Sequence, residues 1–304
     1  MTVLIAGAGG LVGSSLVNEF TKKTNEEVVG MFRKDLNLLD RASTFSYIEK
    51  LKPRLVVDAA AKVGGIGANN LYPVQFLSEN LQIQTNLIDA CHAASVEKVI
   101  FLGSSCIYPR DCKQPIREEF ILTGPLEPTN SAYALAKISG LELIKSYRKQ
   151  FQHKWITVMP TNLYGPNDNF DLESSHVLPA LIRRFVEASY SGINKVTLWG
   201  TGAAIREFLY VEDLAKAIIF CAENYDSDDH INIGTGIGIS IRELAEKIAR
   251  ITGFDGEIVW DKSKPDGMPV KVLDVERINS LGWNPSFSFD DGLEKTINWY
   301  RKNR

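Results

Sequence analysis

The chain has 304 residues, of which 44% are apolar and 23% charged, with a formal net charge of -3. That length can bury a sizeable core, as one large domain or two intimate ones. The charge balance excludes the basic footprint of a nucleic-acid binder, so any anionic ligand must be held by local groups. No apolar run reaches the roughly 18 residues of a membrane span. The chain opens on a strand pattern, Val3-Leu4-Ile5-Ala6, and not on the basic start of a secretory leader. Cys91, Cys106, Cys112 and Cys221 show neither metal-ligand spacing nor CxxC, so free thiols in a reducing cytoplasm, with no metal, are expected.

The first half alternates short apolar runs with amphipathic segments. Strands are expected at Val3–Ala6, Val28–Phe32, Leu55–Asp58, Val99–Leu102 and Ile156–Met159. Helices are expected at Leu11–Lys22, Ser43–Leu51, Val74–Ala94 and Ala132–Gln150. Continuously apolar strands are those covered on both faces, and the alternation is that of a Rossmann-type doubly wound parallel sheet in an α/β fold. After Pro160 the rhythm breaks. Residues 161–175 are rich in Asn, Asp, Gly and Pro and read as loop. Beyond them a helix at Val177–Tyr190, a strand at Val196–Leu198, and helices at Glu212–Glu223, Ile241–Thr252 and Asp290–Arg301 suggest a smaller mixed α/β substrate domain. The expected division is 1–165 with about 207–233 for the dinucleotide, and 166–206 with 234–304 for the substrate.

Gly7-Ala8-Gly9-Gly10-Leu11-Val12-Gly13 follows the first strand and opens the first helix. Glycines there permit a tight turn and close approach of a pyrophosphate to the helix N-terminus. The second strand ends on Met31-Phe32-Arg33-Lys34, where an acidic residue would bind a ribose hydroxyl. Two cations suit a 2′-phosphate instead, and Arg33 points to NADP(H) over NAD, with Asp35 and Asp40 close by in sequence.

Tyr133 and Lys137 stand four apart in a helical pattern, on one face. A neighbouring ammonium favours a phenolate, so Lys137 is expected to draw Tyr133 towards working pH as an acid for a carbonyl oxygen. Gly103-Ser104-Ser105-Cys106 follows the fourth strand, at the sheet end where ligands bind, and Ser104 can bond the same carbonyl.

At these residues the chain resembles the GDP-L-fucose synthase family of extended short-chain dehydrogenase/reductases, over nearly its whole length. The most specific stretches are 59–66 (AAAKVGGI), 103–109, 159–166 (MPTNLYGP), 175–177 (SHV), 206–209 (REFL) and 264–267 (KPDG). The resemblance implies an NADPH-dependent 3,5-epimerisation and 4-reduction of a GDP-4-keto-6-deoxy-sugar. It implies Ser104, Tyr133 and Lys137 as the reductive core, with Cys106 as base and His176 as acid in the epimerisation; the residues themselves leave that direction open. Leu38, Leu102, Gly103, Ser104, Ser105, Tyr133, Lys137, Pro160, Thr161, Asn162, Leu163 and His176 would flank the cofactor. Arg184, Trp199, Arg206 and Asp266 would contact the GDP-sugar, Arg206 gripping the diphosphate with Arg183 nearby. Some relatives carry arginine at the position of Gly9, which here leaves more of the phosphate contact to Arg33. Family members commonly dimerise through helices matching Val74–Ala94 and Ala132–Gln150, so a homodimer is expected, without nucleic-acid or membrane partners. The competing readings are a sugar-nucleotide 4-epimerase or 4,6-dehydratase, and a non-catalytic dinucleotide-binding sensor.

Overall fold

The computed structural model describes residues 1–264 and 266–304. In chain order the first part comprises β1 (Thr2–Ala6), α1 (Leu11–Lys23), β2 (Glu27–Met31), α2 (Arg41–Leu51), β3 (Leu55–Asp58), α3 (Ile66–Leu71), α4 (Pro73–Ala93), β4 (Lys98–Leu102), α5 (Ser131–Phe151) and β5 (Ile156–Pro160). There follow β6 (Asn162–Tyr164), α6 (Val177–Ser191), β7 (Lys195–Trp199), β8 (Ile205–Tyr210), α7 (Val211–Asn224) and β9 (Ile231–Ile233). The chain ends with β10 (Gly238–Ser240), α8 (Ile241–Thr252), β11 (Glu257–Asp261), β12 (Val270–Lys271), α9 (Glu276–Ser280) and α10 (Phe289–Asn303).

Six strands form one parallel sheet in the order β2-β1-β3-β4-β5-β9. The two-residue period of a strand decides which side chain goes where. In β1, Val3 and Ile5 enter the apolar cluster that holds Leu16 and Phe20 of α1 and Leu214 and Ile218 of α7. Leu4 and Ala6 enter the opposite cluster, with Ile48 of α2, Leu87 and Ile88 of α4 and Ile144 of α5. Both faces are therefore dry, and each buried Val, Leu or Ile contributes roughly 1.5–3 kcal/mol. This is the doubly wound architecture that the alternating pattern implies.

The remaining strands are short and grouped around β8, which lies between β10 and β12 and also pairs with β6; β7 pairs with β11. Leu181 and Phe185 of α6, Leu244 and Ile248 of α8, and Leu293 and Ile297 of α10 close a third apolar cluster over this region. A reciprocal Ser240–Glu243 capping box starts α8. Two expectations need correction. Residues 161–175 are not loop throughout, because Asn162–Tyr164 pairs with Phe208–Tyr210. Beyond residue 175 the sequence predicts a strand only at Val196–Leu198, whereas β8 to β12 are present too; β9, β10 and β12 are too short for local pattern to mark, and their neighbours recruit them. Among the described residues, no helix is long and apolar enough to cross a membrane.

Candidate active site

The sheet brings the carboxyl ends of β1, β4 and β5 to one edge, and the glycine loop after β1 forms its floor. Gly7 has φ +79°, and an added Cβ there would meet the Ala59 carbonyl oxygen at 2.7 Å. A Cβ on Gly13 would run into the carbonyl of Gly7, so both glycines are needed for the turn to close. At Gly10, by contrast, an added Cβ would meet only the Gly7 carbonyl oxygen, in ordinary contact at 3.7 Å, and the residue is exposed, which leaves the helix start accessible. Gly10 also brings no side chain to cap α1. Uncapped amides facing open space at a helix N-terminus suit a pyrophosphate. Ala8, Gly9, Leu11 and Val12 complete this cradle.

At the end of β2, the ring of Phe32 packs over Gly9, 3.2 Å from where a Cβ would stand. Arg33 is exposed beside it. The two nearby acids are already engaged. Asp35 accepts the Phe32 amide at 3.2 Å, and Asp40 caps α2 by accepting the Ser43 amide and hydroxyl. Leu38 is buried against the same corner of the sheet.

After β4, Ser104 accepts the Cys106 amide at 3.3 Å, capping a 3-10 turn at Ser105–Ile107. The Ser104 hydroxyl proton is thereby left to donate elsewhere. Ser105 and Leu102 are buried, and Gly103 leaves room for Met159. Lys137 donates to the Leu102 carbonyl at 2.8 Å, and its Nζ lies 4.7 Å from the Phe101 ring centroid. The ammonium is therefore pinned beneath the strand end. Burial pushes Lys137 down to about 8, while Asp58 works the other way.

Tyr133 corrects an expectation. Its phenol is not drawn towards neutrality; burial pushes it up, the Cys106 sulphur adds to this, and Ser104 opposes it. A phenol so placed keeps its proton, which suits an acid and not a base. Asp58 is fully buried across from Phe101, and burial lifts its carboxyl to about 6, against Lys137 and the Ala60 amide.

Cys106 is half-buried, and two donors reach its Sγ: Asn130 Nδ2 at 3.4 Å and Lys271 Nζ at 3.7 Å. His176 sits at the N-cap of α6 without capping it. Its surface is exposed to solvent, yet the protein around it, and then the Lys271 ammonium, hold its imidazole below the ordinary value. Lys271 is thus common to the surroundings of Cys106 and His176. The segment before His176 is seated by the 59–66 stretch: the Gly65 amide donates to Ser174 O at 2.8 Å. A Cβ on Gly65 would collide with the Ser175 carbonyl.

Residues 3–234 match the NAD dependent epimerase/dehydratase family. The chain belongs to that family. It is 50% identical over 303 residues to GDP-L-fucose synthase 1 of Arabidopsis thaliana, covering 99% of this chain and 93% of the relative. Among solved structures, it matches a GDP-6-OMe-4-keto-L-xylo-heptose reductase from C. jejuni with TM-score 0.94 and 32% identity, over 100% of this chain and 98% of that one. A GDP-L-fucose synthetase from Naegleria fowleri bound to NADP matches with TM-score 0.91 and 29% identity, over 99% and 94%. The chain is an enzyme of this family that takes a nicotinamide dinucleotide, and the open, uncapped glycine turn fits one.

The remaining family positions line the region around β8. Thr161 and Asn162 both donate to Glu207 O, at 3.4 and 2.7 Å, which ties the end of β5 to β8; Pro160 and Leu163 flank them. Arg206 is half-buried with one nitrogen on its own strand's Ile205 O at 2.8 Å. Arg184 reaches Thr197 O at 3.1 Å, two residues before the exposed Trp199. Arg183 is engaged with Glu187 at 2.8 Å. Asp266 spends both oxygens on Thr201, accepting its amide and hydroxyl at 2.7 Å each; Pro265 lies outside the described residues. Sequence reading missed Asn130 and Lys271. Asn130 looks like an ordinary helix cap, and Lys271 like one cation on a short strand, so nothing local marks either.

Proposed function

We propose that the chain converts GDP-4-keto-6-deoxy-D-mannose to GDP-L-fucose, by epimerisation at C3 and C5 followed by NADPH-dependent reduction at C4. The reading is carried by one juxtaposition: a thiol with two nitrogen donors stands beside the Ser104–Tyr133 pair, and a second titratable group, His176, shares its Lys271. A plain carbonyl reductase has no use for that thiol. The near-full-length likeness to GDP-L-fucose synthases supports the same substrate.

The C4 carbonyl oxygen would accept hydrogen bonds from Ser104 and Tyr133, and this polarisation acidifies the hydrogens at C3 and C5. Cys106 Sγ takes one proton, leaving an enolate with its charge on O4. His176, entering as imidazolium, returns a proton to the opposite face and inverts the carbon; exchange with solvent then takes the proton from Cys106 and returns one to His176 before the cycle repeats at the second centre. When bound, NADPH supplies hydride to C4. Tyr133 then gives its proton to O4, completing the alcohol. Lys137 holds the positive charge that offsets the phenolate formed.

Gly7 to Gly13 would hold the pyrophosphate and Leu102 to Ser105 with Pro160 to Leu163 the nicotinamide end. The preference for NADP rests on Arg33, since Asp35 and Asp40 are occupied in a turn and a cap. Arg206, with Arg184, Trp199 and Asp266, would hold the nucleotide diphosphate of the substrate. On this reading residues 1–165 and about 207–233 serve the cofactor, and 166–206 and 234–304 the sugar nucleotide. We also assign the outer faces of α4 and α5, which expose Val74 and Leu135, to a homodimer contact.

The test is incubation with GDP-4-keto-6-deoxy-D-mannose and NADPH, with product configuration read by NMR. Stoichiometric NADPH oxidation and inversion at C3 and C5 are expected. Reduction with both centres retained would demote the enzyme to a simple 4-reductase.

A further inference from the structure

We propose that Asn130 and Lys271 are positioning residues that together hold the Cys106 sulphur as a thiolate, ready to take the C3 and C5 protons. The proposal rests on the reading of Cys106 as the base.

Two observations carry it. First, Asn130 occupies the N-cap of α5, where asparagine ordinarily accepts an amide of the first helical turn. Here its side chain makes no cap bond. Its Nδ2 instead donates to Cys106 Sγ at 3.4 Å, and its buried Oδ1 has no partner. A cap residue that leaves its helix uncapped in order to reach a sulphur is placed for that sulphur. Second, Lys271 arrives from a separate element, β12. Register sets it beside Arg206, with Val270 beside Ile205, and its Nζ stands 3.7 Å from Sγ. A neutral thiol gains little from two nitrogen donors, whereas a thiolate gains from both, and one of them is cationic.

The flanking elements bring to this corner Lys271 of β12, Arg206 of β8 with Asp266, Tyr133 of α5, His176 ahead of α6, Glu127 ahead of Asn130, and the half-buried Cys112, whose thiol the Lys271 charge also favours ionising. Negative charge on Cys106 raises Tyr133 further. A charged sulphur and a protonated phenol are thus mutually consistent: one group starts as base while the other keeps its proton for the last step. Lys271 also opposes protonation of His176, so the sulphur's negative charge and the imidazole's proton depend on the same ammonium.

The experiment is alkylation of Cys106 by iodoacetamide across pH in the protein without substrate. Sulphur displaces iodide from the reagent, and the modified peptide is identified by mass. The other cysteines are separated from it by peptide, and Cys91 and Cys221 are buried. In Lys271→Met the rate at pH 7 should fall several-fold, and its rise with pH should move to more alkaline values. Lys271→Arg should restore most of the rate. Asn130→Ala should shift the profile in the same direction by less, and it tests the second donor if Lys271→Met folds poorly. Profiles of both variants that superpose on the parent's would overturn the proposal. Deuterium uptake from D2O at C3 and C5 of the substrate, measured without NADPH, separates the two layers of argument. If Cys106→Ser still exchanges, the assignment of the base fails whatever the alkylation shows.

Discussion

From β1 to β5 of the six-stranded sheet, backbone amides pair strand to strand and side chains are free to be apolar; its edge strand β9 already calls on a side-chain oxygen. Around β8 the backbone is irregular, and side-chain oxygens take over. Glu207 is fully buried and accepts the amides of Thr235 and Gly236 on one oxygen and of Leu273 on the other. Asp213 accepts Ser286 and Phe287 amides, Glu118 the Asn232 amide, and Asp266 the Thr201 amide. A buried amide without a partner costs about 1–3 kcal/mol, so Glu207, Asp213 and Glu118 each stand in for a missing strand partner, while the Asp266 latch is exposed. The region around β8 is thus held together by side-chain latches. The dinucleotide floor depends on close packing of glycine and backbone.

Three substitutions test that contrast. The largest effect is expected from Glu207→Ala, which strands three amides and should cost roughly 3–5 kcal/mol in urea unfolding. A loss below about 1 kcal/mol would mean that water replaces the carboxylate and that the latch is dispensable. Gly13→Ala should cost about 1–3 kcal/mol by overpacking and also weaken dinucleotide binding in a fluorescence titration, because the turn must open to admit the methyl group. Binding undiminished by that change would show that the floor tolerates movement. The smallest effect is expected from Asp266→Ala. The latch is exposed, so stability should change by about 1 kcal/mol or less, while KM for the GDP-sugar rises several-fold and KM for NADPH stays put. Equal rises in both would place Thr201 and Trp199 outside the substrate site.

Much of the scaffold was legible because its physics is local. Leu55–Asp58 matches its expected bounds, and β1, β2, β4 and β5 differ only at their ends, since two-face burial leaves a continuous apolar run in the sequence. The short strands β9, β10 and β12 left no such trace. They are held by partners remote in sequence, as when Lys271 aligns with Arg206. Glu207 was visible within the 206–209 stretch, but an acid in sequence reads as surface charge, and its burial shows only in three dimensions.

The sequence by itself determined the glycine turn, the Tyr133–Lys137 spacing and the serine at a strand end, because each is fixed by bonds and periodicity within a few residues. Only the tertiary structure decided how those groups are charged. Tyr133 is pushed up by burial and by a sulphur, Lys137 is pinned to a carbonyl, and Cys106 meets donors 24 and 165 residues away. Ionisation depends on what surrounds a group in space, and long-range packing sets that.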